Sequence, residues 1–135
     1  MSEMTLQGSC LCGSVQYEVV GTPLRFLHCH CERCRKATGT GHATNLILKT
    51  EGVDWKSGES NLRRYNVPDA ERFATTFCVA CGSPLPRVGK GMVVIPAGSL
   101  DSMPDMVPEG RIFWDSRVEW SCASSDLPTF AEYPT

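Results

Sequence analysis

The sequence lacks a long apolar run, a basic leader and an excess of charge of either sign. No stretch approaches the roughly 20 apolar residues that a transmembrane helix needs. Residues 1–5 do not form the basic start of a secretory signal, and no apolar run follows them. Because the formal net charge is only −2, we do not expect a surface for nucleic acid. These absences predict a cytoplasmic protein that binds neither membranes nor nucleic acids.

Strong helical patterns, repeats and long linkers are also missing. Prolines crowd the C-terminal third and oppose a long helix there, so residues 32–37 are the one helical candidate. Val15, Tyr17 and Val19 alternate with polar residues, which is the period-two pattern of a half-buried strand. We therefore expect one mainly β domain over residues 1–135. The predicted strands are residues 15–19, 24–27, 43–48, 62–67, 73–77 and 92–95.

Cysteine is abundant, with eight residues, seven of which fall into tight clusters. In a cytosolic protein, clustered cysteines favour metal ligands over disulfides. Two of the clusters are short pairs and one is a triplet, which predicts one site with four ligands and one with three. We call these the four-cysteine cluster (Cys10, Cys12, Cys78 and Cys81) and the three-cysteine cluster (Cys29, Cys31 and Cys34). Zinc with four protein ligands is structural, whereas zinc with three can bind a substrate.

The four-cysteine cluster has the form of two zinc knuckles. Cys78 and Cys81 are separated by two residues and followed by Gly82, which permits the tight backbone that converging sulfurs require. Cys10 and Cys12 form a shorter knuckle that is also followed by glycine. Because the two pairs are distant in sequence, a shared zinc would close a long loop and stabilise the fold. We expect a structural zinc at these four residues.

The sequence leaves open what completes the three-cysteine cluster. Cys122 could close it and make it structural, although a lone cysteine is more often a small buried residue. His28 and His30 flank Cys29 and are expected beside the metal rather than on it, and His42 is expected to line a pocket there. Glu32 is the one local carboxylate, and an exposed position at a helix start explains it more simply than a catalytic base does.

An open fourth position would favour thiol chemistry. Three thiolates give a zinc site a net charge of about −1 and weaken its Lewis acidity. A thiol bound there loses its proton near neutral pH and stays nucleophilic. The cluster therefore predicts attack of an external thiol on an electrophile rather than hydrolysis by metal-bound water.

Five motifs together resemble a known family over nearly the whole chain. They are Cys-x-Cys-Gly-x-Val at 10–15, Cys-His-Cys-x-x-Cys-Arg-Lys-x-x-Gly at 29–39, Phe-Cys-x-x-Cys-Gly-Ser-x-Leu at 77–85, Gly-Ser-Leu-Asp at 98–101 and Ile-Phe-Trp-Asp-Ser-Arg at 112–117. The family is that of the glutathione-dependent formaldehyde-activating enzymes, also called the GFA or CENP-V domain. The order and spacing of the cysteines carry most of this resemblance.

The resemblance implies a fold, separate roles for two zinc ions and a reaction. It implies an Mss4-like fold of short antiparallel sheets stapled by zinc. It assigns a structural zinc to Cys10, Cys12, Cys78 and Cys81, and a catalytic zinc to Cys29, Cys31 and Cys34. The implied reaction joins glutathione to formaldehyde and gives S-(hydroxymethyl)glutathione, formally a carbon–sulfur lyase reaction in reverse. The implied partners are therefore a small thiol and a small aldehyde.

Two other functions remain compatible with these residues. One is a non-catalytic module, stabilised by zinc, that binds a thiol or a protein. The other is redox sensing by the three-cysteine cluster, with release of zinc on oxidation. If the protein is an enzyme, Arg35 and Lys36 are the nearest cations to meet a glutathione carboxylate. Four aromatic residues near the C-terminus are expected in the core, namely Phe113, Trp114, Trp120 and Phe130.

Overall fold

The computed structural model describes residues 2–122 and 126–134. These residues form ten strands and one α-helix, so the prediction of a mainly β protein is confirmed. In chain order they are β1 (Met4–Ser9), β2 (Gln16–Cys29), α1 (Glu32–Thr38), β3 (Ala43–Lys49), β4 (Asp54–Ser57), β5 (Leu62–Asn66), β6 (Ala74–Cys78), β7 (Pro84–Leu85), β8 (Arg87–Val88), β9 (Met92–Pro96) and β10 (Gly110–Ile112). Among the described residues, no helix has the length and hydropathy needed to cross a bilayer.

Two sheets organise the strands. The larger sheet has the order β1-β2-β3-β9-β8, with β4 and β10 also paired to β2, and its pairs are antiparallel except for β10 with β2. The smaller sheet has the antiparallel order β5-β6-β7. The four-cysteine cluster takes residues from the turn after β1 and from the end of β6, so it joins the two sheets.

The prediction of separate strands at 15–19 and 24–27 is wrong, because β2 runs without interruption through both. Its first half pairs with β1 and β4, and its second half pairs with β3 and β10. The register against β3 shifts between Pro23 and Arg25. This irregularity accommodates a proline, which has no N–H for the ladder, inside a long strand. The strands β4, β7, β8 and β10, of two to four residues, were not predicted because they are too short to show a period.

The core lies on the larger sheet and is mostly aliphatic. Alternate residues of β2, β3 and β9 point inward, and Val19, Leu46, Leu48 and Ile95 are fully buried. Tyr17 packs edge-on against Trp55, and its hydroxyl lies 2.6 Å from Ser99 Oγ. Two ligand candidates of the four-cysteine cluster belong to the same core, so this cluster and the core stabilise each other. They are Cys10 and Cys78.

The C-terminal aromatic residues do not lie in the core, so that prediction is wrong. Phe113, Trp120 and Phe130 are 62%, 70% and 52% exposed, and Trp114 is 36% exposed. Aliphatic side chains from β2, β3 and β9 already fill the interior, and the segment after β10 therefore runs along the surface. Trp114 is half-covered because its ring packs edge-on against His30 at 5.0 Å between centroids.

Candidate metal centre

The four sulfurs of the four-cysteine cluster have the spacing of metal ligands. All of them lie within 4.8 Å of one another. The Cys12 sulfur is 3.6 Å from that of Cys10 and 4.0 Å from that of Cys78. With Zn–S bonds near 2.3 Å, two sulfurs on a tetrahedral ion are about 3.8 Å apart. The cluster could therefore hold one metal ion, and its spacing is consistent with zinc.

Hydrogen bonds lower the pKa of two thiols in this cluster, Cys10 and Cys81. The Ser83 hydroxyl lies 3.2 Å from Cys81 Sγ, and this contact is the main cause that lowers the pKa of Cys81 to about 5. The backbone N–H of Val15 donates to Cys10 Sγ at 3.3 Å. The Ser14 hydroxyl lies 3.1, 3.7 and 3.8 Å from three of the four sulfurs. Because metals bind the thiolate form, these donors prepare the site for an ion.

Glycines shape both knuckles as the sequence predicts. Gly13 and Gly82 have φ angles of +79° and +76°, in the left-handed region that other residues rarely adopt. Each donates its N–H back to the first cysteine of its pair, from Gly13 to the Cys10 carbonyl at 3.0 Å and from Gly82 to the Cys78 carbonyl at 2.7 Å. These turns bring the two cysteines of each pair onto one side of the backbone.

The three-cysteine cluster forms where β2 ends and α1 begins. Cys29 is the last residue of β2, Cys31 caps α1, and Cys34 lies in the first turn of the helix. The Cys31 sulfur accepts the Cys34 N–H at 3.3 Å, which fixes the cap. The three sulfurs lie within 4.8 Å of one another, so this cluster also could hold a metal ion. A spacing of one residue and then two residues is enough to bring them together.

Burial gives the three thiols unequal acidities. It raises the pKa of Cys29 and of Cys34, because a buried thiolate loses its hydration. Burial is the largest influence on Cys31 and acts in the same direction, but hydrogen bonds from Cys34, Cys29 and the Arg33 N–H together outweigh it and lower the pKa of Cys31. Cys29 and Cys34 therefore need a nearby positive charge to become thiolates, and a divalent ion would supply one.

No fourth protein ligand joins the three sulfurs within the described residues. The group contains cysteines alone, without a histidine, aspartate or glutamate atom inside 4.8 Å. Cys122 is outside the group and exposed, in the left-handed conformation with φ at +59°. Its sulfur accepts a hydrogen bond from the Ser121 hydroxyl at 3.8 Å instead. The geometry therefore does not support the alternative in which Cys122 completes this site.

Three histidines lie together beside the three-cysteine cluster. His42 is 4.3 Å from His28 and 4.9 Å from His30 between ring centroids, and it lines a cavity of about 680 Å³. His28 Nδ1 lies 2.8 Å from Thr44 Oγ1. His30 is fully buried, and neither of its ring nitrogens has a hydrogen-bond partner in the described part of the chain. Burial, reinforced by His42 and Arg111, lowers the pKa of both His28 and His30, so neutral imidazoles are favoured.

Arg87 and Phe73 are site residues that the sequence does not reveal. Phe73 packs against the buried group formed by Cys29, Cys34 and Ala43, and the Arg87 guanidinium lies 4.9 Å from the centre of its ring. Burial lowers the pKa of Arg87, while the charge of the nearby cysteines, Cys34 first, opposes this effect. Strand β8 delivers Arg87 to the site by pairing with β9, and no local motif marks that placement.

Arg35 and Lys36, the cations expected at the site, do not line the cavity beside the three-cysteine cluster. Arg35 and Lys36 lie in the last turn of α1. Arg35 Nε is buried and has no hydrogen-bond partner among the described residues. A cavity of about 190 Å³ borders the three-cysteine cluster, and neither Arg35 nor Lys36 lines it. Its wall includes Cys34, Ala43, Asn45, Phe73, Arg87 and Val94.

Comparisons with known proteins agree with the cysteine pattern. The model of the family described as glutathione-dependent formaldehyde-activating enzyme matches residues 5–116. A Halomonas elongata protein named "Putative glutathione-dependent formaldehyde-activating enzyme" is 51% identical over 45 residues, which are 32% of this chain and 29% of that relative. A crystal structure of a Rhodobacter sphaeroides protein has a TM-score of 0.54 at 21% identity, covering 76% of this chain and 98% of that one, which supports the fold alone. Since the family model spans most of the sequence, the chain belongs to the glutathione-dependent formaldehyde-activating enzyme family.

Proposed function

We propose that this protein is a zinc-dependent enzyme that joins glutathione or a similar thiol to formaldehyde or another small aldehyde. The product with glutathione and formaldehyde is S-(hydroxymethyl)glutathione, so the reaction is that of a carbon–sulfur lyase in reverse. The observation that carries the proposal is that three sulfurs converge without a fourth ligand among the described residues. Membership of the family, whose description names glutathione and formaldehyde, supports the substrates.

The two clusters have separate roles in this proposal. Cys10, Cys12, Cys78 and Cys81 would hold a structural zinc, because four sulfurs within 4.8 Å of one another can supply all four ligands of one zinc ion. Cys29, Cys31 and Cys34, whose sulfurs also lie within 4.8 Å of one another, would hold the catalytic zinc and are the proposed catalytic residues. A zinc ion bound by three thiolates supplies a soft acceptor for the substrate sulfur and keeps that sulfur deprotonated near neutral pH. The proposal includes one domain over residues 1–135 and a cytoplasmic location, where thiols stay reduced.

The chain itself positions the aldehyde and limits its contact with water. The 190 Å³ cavity beside Cys34 is large enough for an aldehyde of a few heavy atoms, and Ala43, Phe73 and Val94 give it apolar walls. Apolar walls leave the substrate thiolate less hydrated and therefore more reactive toward a carbonyl carbon. Asn45 lines the same cavity and can donate its amide N–H to the carbonyl oxygen as charge develops there.

The bond changes are those of thiol addition to an aldehyde. The substrate sulfur forms a bond to the carbonyl carbon, and the electron pair of the C=O π bond moves to the oxygen. That oxygen takes up one proton, which balances the proton lost when the thiol ionised. No oxidant or reductant is consumed, so the chain needs only to bind, orient and shield the reactants.

The experiment that tests the proposal is the rate of aldehyde–glutathione adduct formation, compared between the wild type and Cys31→Ser. The wild type is expected to exceed the spontaneous rate, and Cys31→Ser is expected to lose most of that excess. Equal rates in the two proteins would overturn the enzymatic function. Binding of glutathione without rate enhancement would instead favour the non-catalytic binding module.

A further inference from the structure

We infer that the preferred aldehyde carries an apolar substituent of about four to six carbons, which the 190 Å³ cavity beside Cys34 holds while the thiol sulfur attacks. The substrate class is then aliphatic or aromatic aldehydes rather than formaldehyde itself. This inference rests on the proposed function and names the electrophile of that reaction. It goes beyond the family description, which names formaldehyde.

The cavity is larger than formaldehyde needs. Formaldehyde has one carbon and one oxygen, whereas an apolar cavity of about 150 Å³ is already large enough to hold benzene. The cavity beside Cys34 has a volume of about 190 Å³. Formaldehyde would leave most of this space unfilled, and an empty apolar cavity costs stability roughly in proportion to its volume. A hydrocarbon substituent on the carbonyl carbon would fill it.

One end of the cavity lies at the three-cysteine cluster. Cys34 and Ala43 line the cavity, and both belong to the buried group that includes Cys29. Phe73 packs against that group and lines the cavity as well. An aldehyde whose carbonyl carbon meets a sulfur at the cluster can therefore extend its substituent along these walls.

Two buried side chains of the wall have no place in the main core. Val94 and Ala74 line the cavity and are 6% and 1% exposed, yet neither belongs to the main core or to the buried group at the cysteines. Val93 and Ile95 point into the main core, so Val94 between them points to the opposite face of the sheet. A hydrocarbon substituent would give Val94 and Ala74 the apolar contacts that the core does not provide.

The charge in the wall does not call for an anionic aldehyde. Arg87 is the one charged residue among the described residues that line the cavity. Its guanidinium lies over the Phe73 ring and donates from Nη1 to the backbone carbonyl of Ala74. It shares the wall with Cys34, and three thiolates around zinc carry a net charge of about −1. The cluster itself therefore supplies the anionic partner of Arg87.

The first test is binding of S-methyl-, S-propyl- and S-hexylglutathione, which carry the substituent on sulfur but cannot react. Calorimetry on the zinc-loaded full-length chain measures their dissociation constants without turnover. Each added methylene is expected to tighten binding about threefold to fourfold until about six carbons fill the cavity. Equal dissociation constants across the series, or binding of none of the three, would overturn the inference.

Variants of Val94 test where the substituent lies. Val94→Phe fills the cavity and is expected to bind the S-hexyl compound no more tightly than the S-methyl compound. Val94→Ala enlarges the cavity and is expected to extend the gain in affinity to S-octylglutathione. The matched control is Val88→Phe, which adds the same ring at an exposed position on β8, in the same sheet but outside the cavity.

Val88→Phe is expected to keep the wild-type dependence on chain length. The same dependence in Val94→Phe would show that the substituent lies elsewhere and would overturn the inference. If Val94→Phe does not fold, Val94→Ala decides the question, because an affinity series that still ends at the hexyl compound contradicts this placement.

Turnover separates this inference from the proposed function. The ratio of kcat/KM for hexanal to that for formaldehyde is expected to fall about tenfold or more in Val94→Phe and to stay unchanged in Val88→Phe. Turnover of formaldehyde together with a flat binding series would overturn the inference and leave the proposed function standing. A binding series that depends on chain length, without turnover of either aldehyde, would support the cavity assignment and overturn the enzymatic function.

Discussion

The guanidinium of Arg87 lies over the ring of Phe73 at 4.9 Å, and both residues line two neighbouring cavities. One is the small cavity that Cys34 also lines, and the other is lined by the exposed residues Arg33, Asp69, Glu71 and Arg72. A cation over an aromatic face keeps its charge while part of its surface is removed from water. The pair therefore places a positive charge beside the cluster without closing either cavity.

Loss of a ligand should have unequal effects in the two clusters. Cys78 is fully buried in the main core, and its cluster joins the two sheets, so Cys78→Ser should lower the thermal midpoint strongly. Cys31 ties only the end of β2 to α1, so Cys31→Ser should lower it less. Differential scanning calorimetry of both zinc-loaded variants measures the order. A larger loss in Cys31→Ser than in Cys78→Ser would contradict the structural role of the four-cysteine cluster.

Removal of the Ser83 hydroxyl should make the four-cysteine cluster release zinc at a higher pH. That hydroxyl is the main cause that lowers the pKa of Cys81 to about 5. In Ser83→Ala the pKa rises, so protons compete for this sulfur earlier as the pH falls. A zinc-sensitive dye followed during acid titration measures the midpoint. The control is Ser116→Ala, which removes an exposed hydroxyl elsewhere and should release zinc at the same pH as wild type. If Ser83→Ala also releases zinc at that pH, the Ser83 hydroxyl does not stabilise the Cys81 thiolate.

Tyr17 should make the folded protein lose stability between pH 10 and 12. Burial raises its pKa to about 12, above its unfolded value near 10, so the neutral phenol is favoured in the folded state. The associated stability is complete below pH 10 and falls by about 2 to 3 kcal/mol as the pH rises through 12. Urea unfolding of wild type and Tyr17→Phe across this range measures it. The difference between them should shrink with pH, and a constant difference would contradict the assignment.

Gly41 should not tolerate a side chain. A Cβ at this position would lie 2.6 Å from the Cβ of Ser121, so the surface segment after β10 would have to move. Gly41→Ala should destabilise the fold by about 1 to 3 kcal/mol. Gly52 has open space around its Cβ position and serves as the control. Thermal midpoints of the two alanine variants decide the matter, since equal midpoints would show that the segment is not held against Gly41.

The sequence is informative where local spacing decides the structure. Short intervals bring the sulfurs of each knuckle together whatever the rest of the chain does, and alternation along β2 predicts its inward face. The continuity of β2 through Pro23 was missed, because a proline at a bulge within one long strand gives the same sequence pattern as a break between two strands. Arg87 was missed because it reaches the cluster through pairing of β8 with β9, which leaves no local pattern.

For the aromatic residues of the C-terminal segment, the sequence predicts burial that the structure does not show. Trp120 and Phe130 are large and apolar, so composition alone suggests burial, but both are largely exposed. Side chains from three strands fill the core before the chain reaches this segment. Burial of a residue depends on the volume left by the other elements, and a single sequence does not report that volume.

The central claim is that the three-cysteine cluster holds zinc at three corners and accepts a thiol at the fourth. X-ray absorption at the zinc edge measures this most directly, as the mean number of sulfurs per ion before and after addition of glutathione. Seven protein sulfurs around two ions predict a rise from about 3.5 to about 4 sulfurs per zinc when glutathione binds. A value of four before glutathione is added, or no change afterwards, would contradict the account.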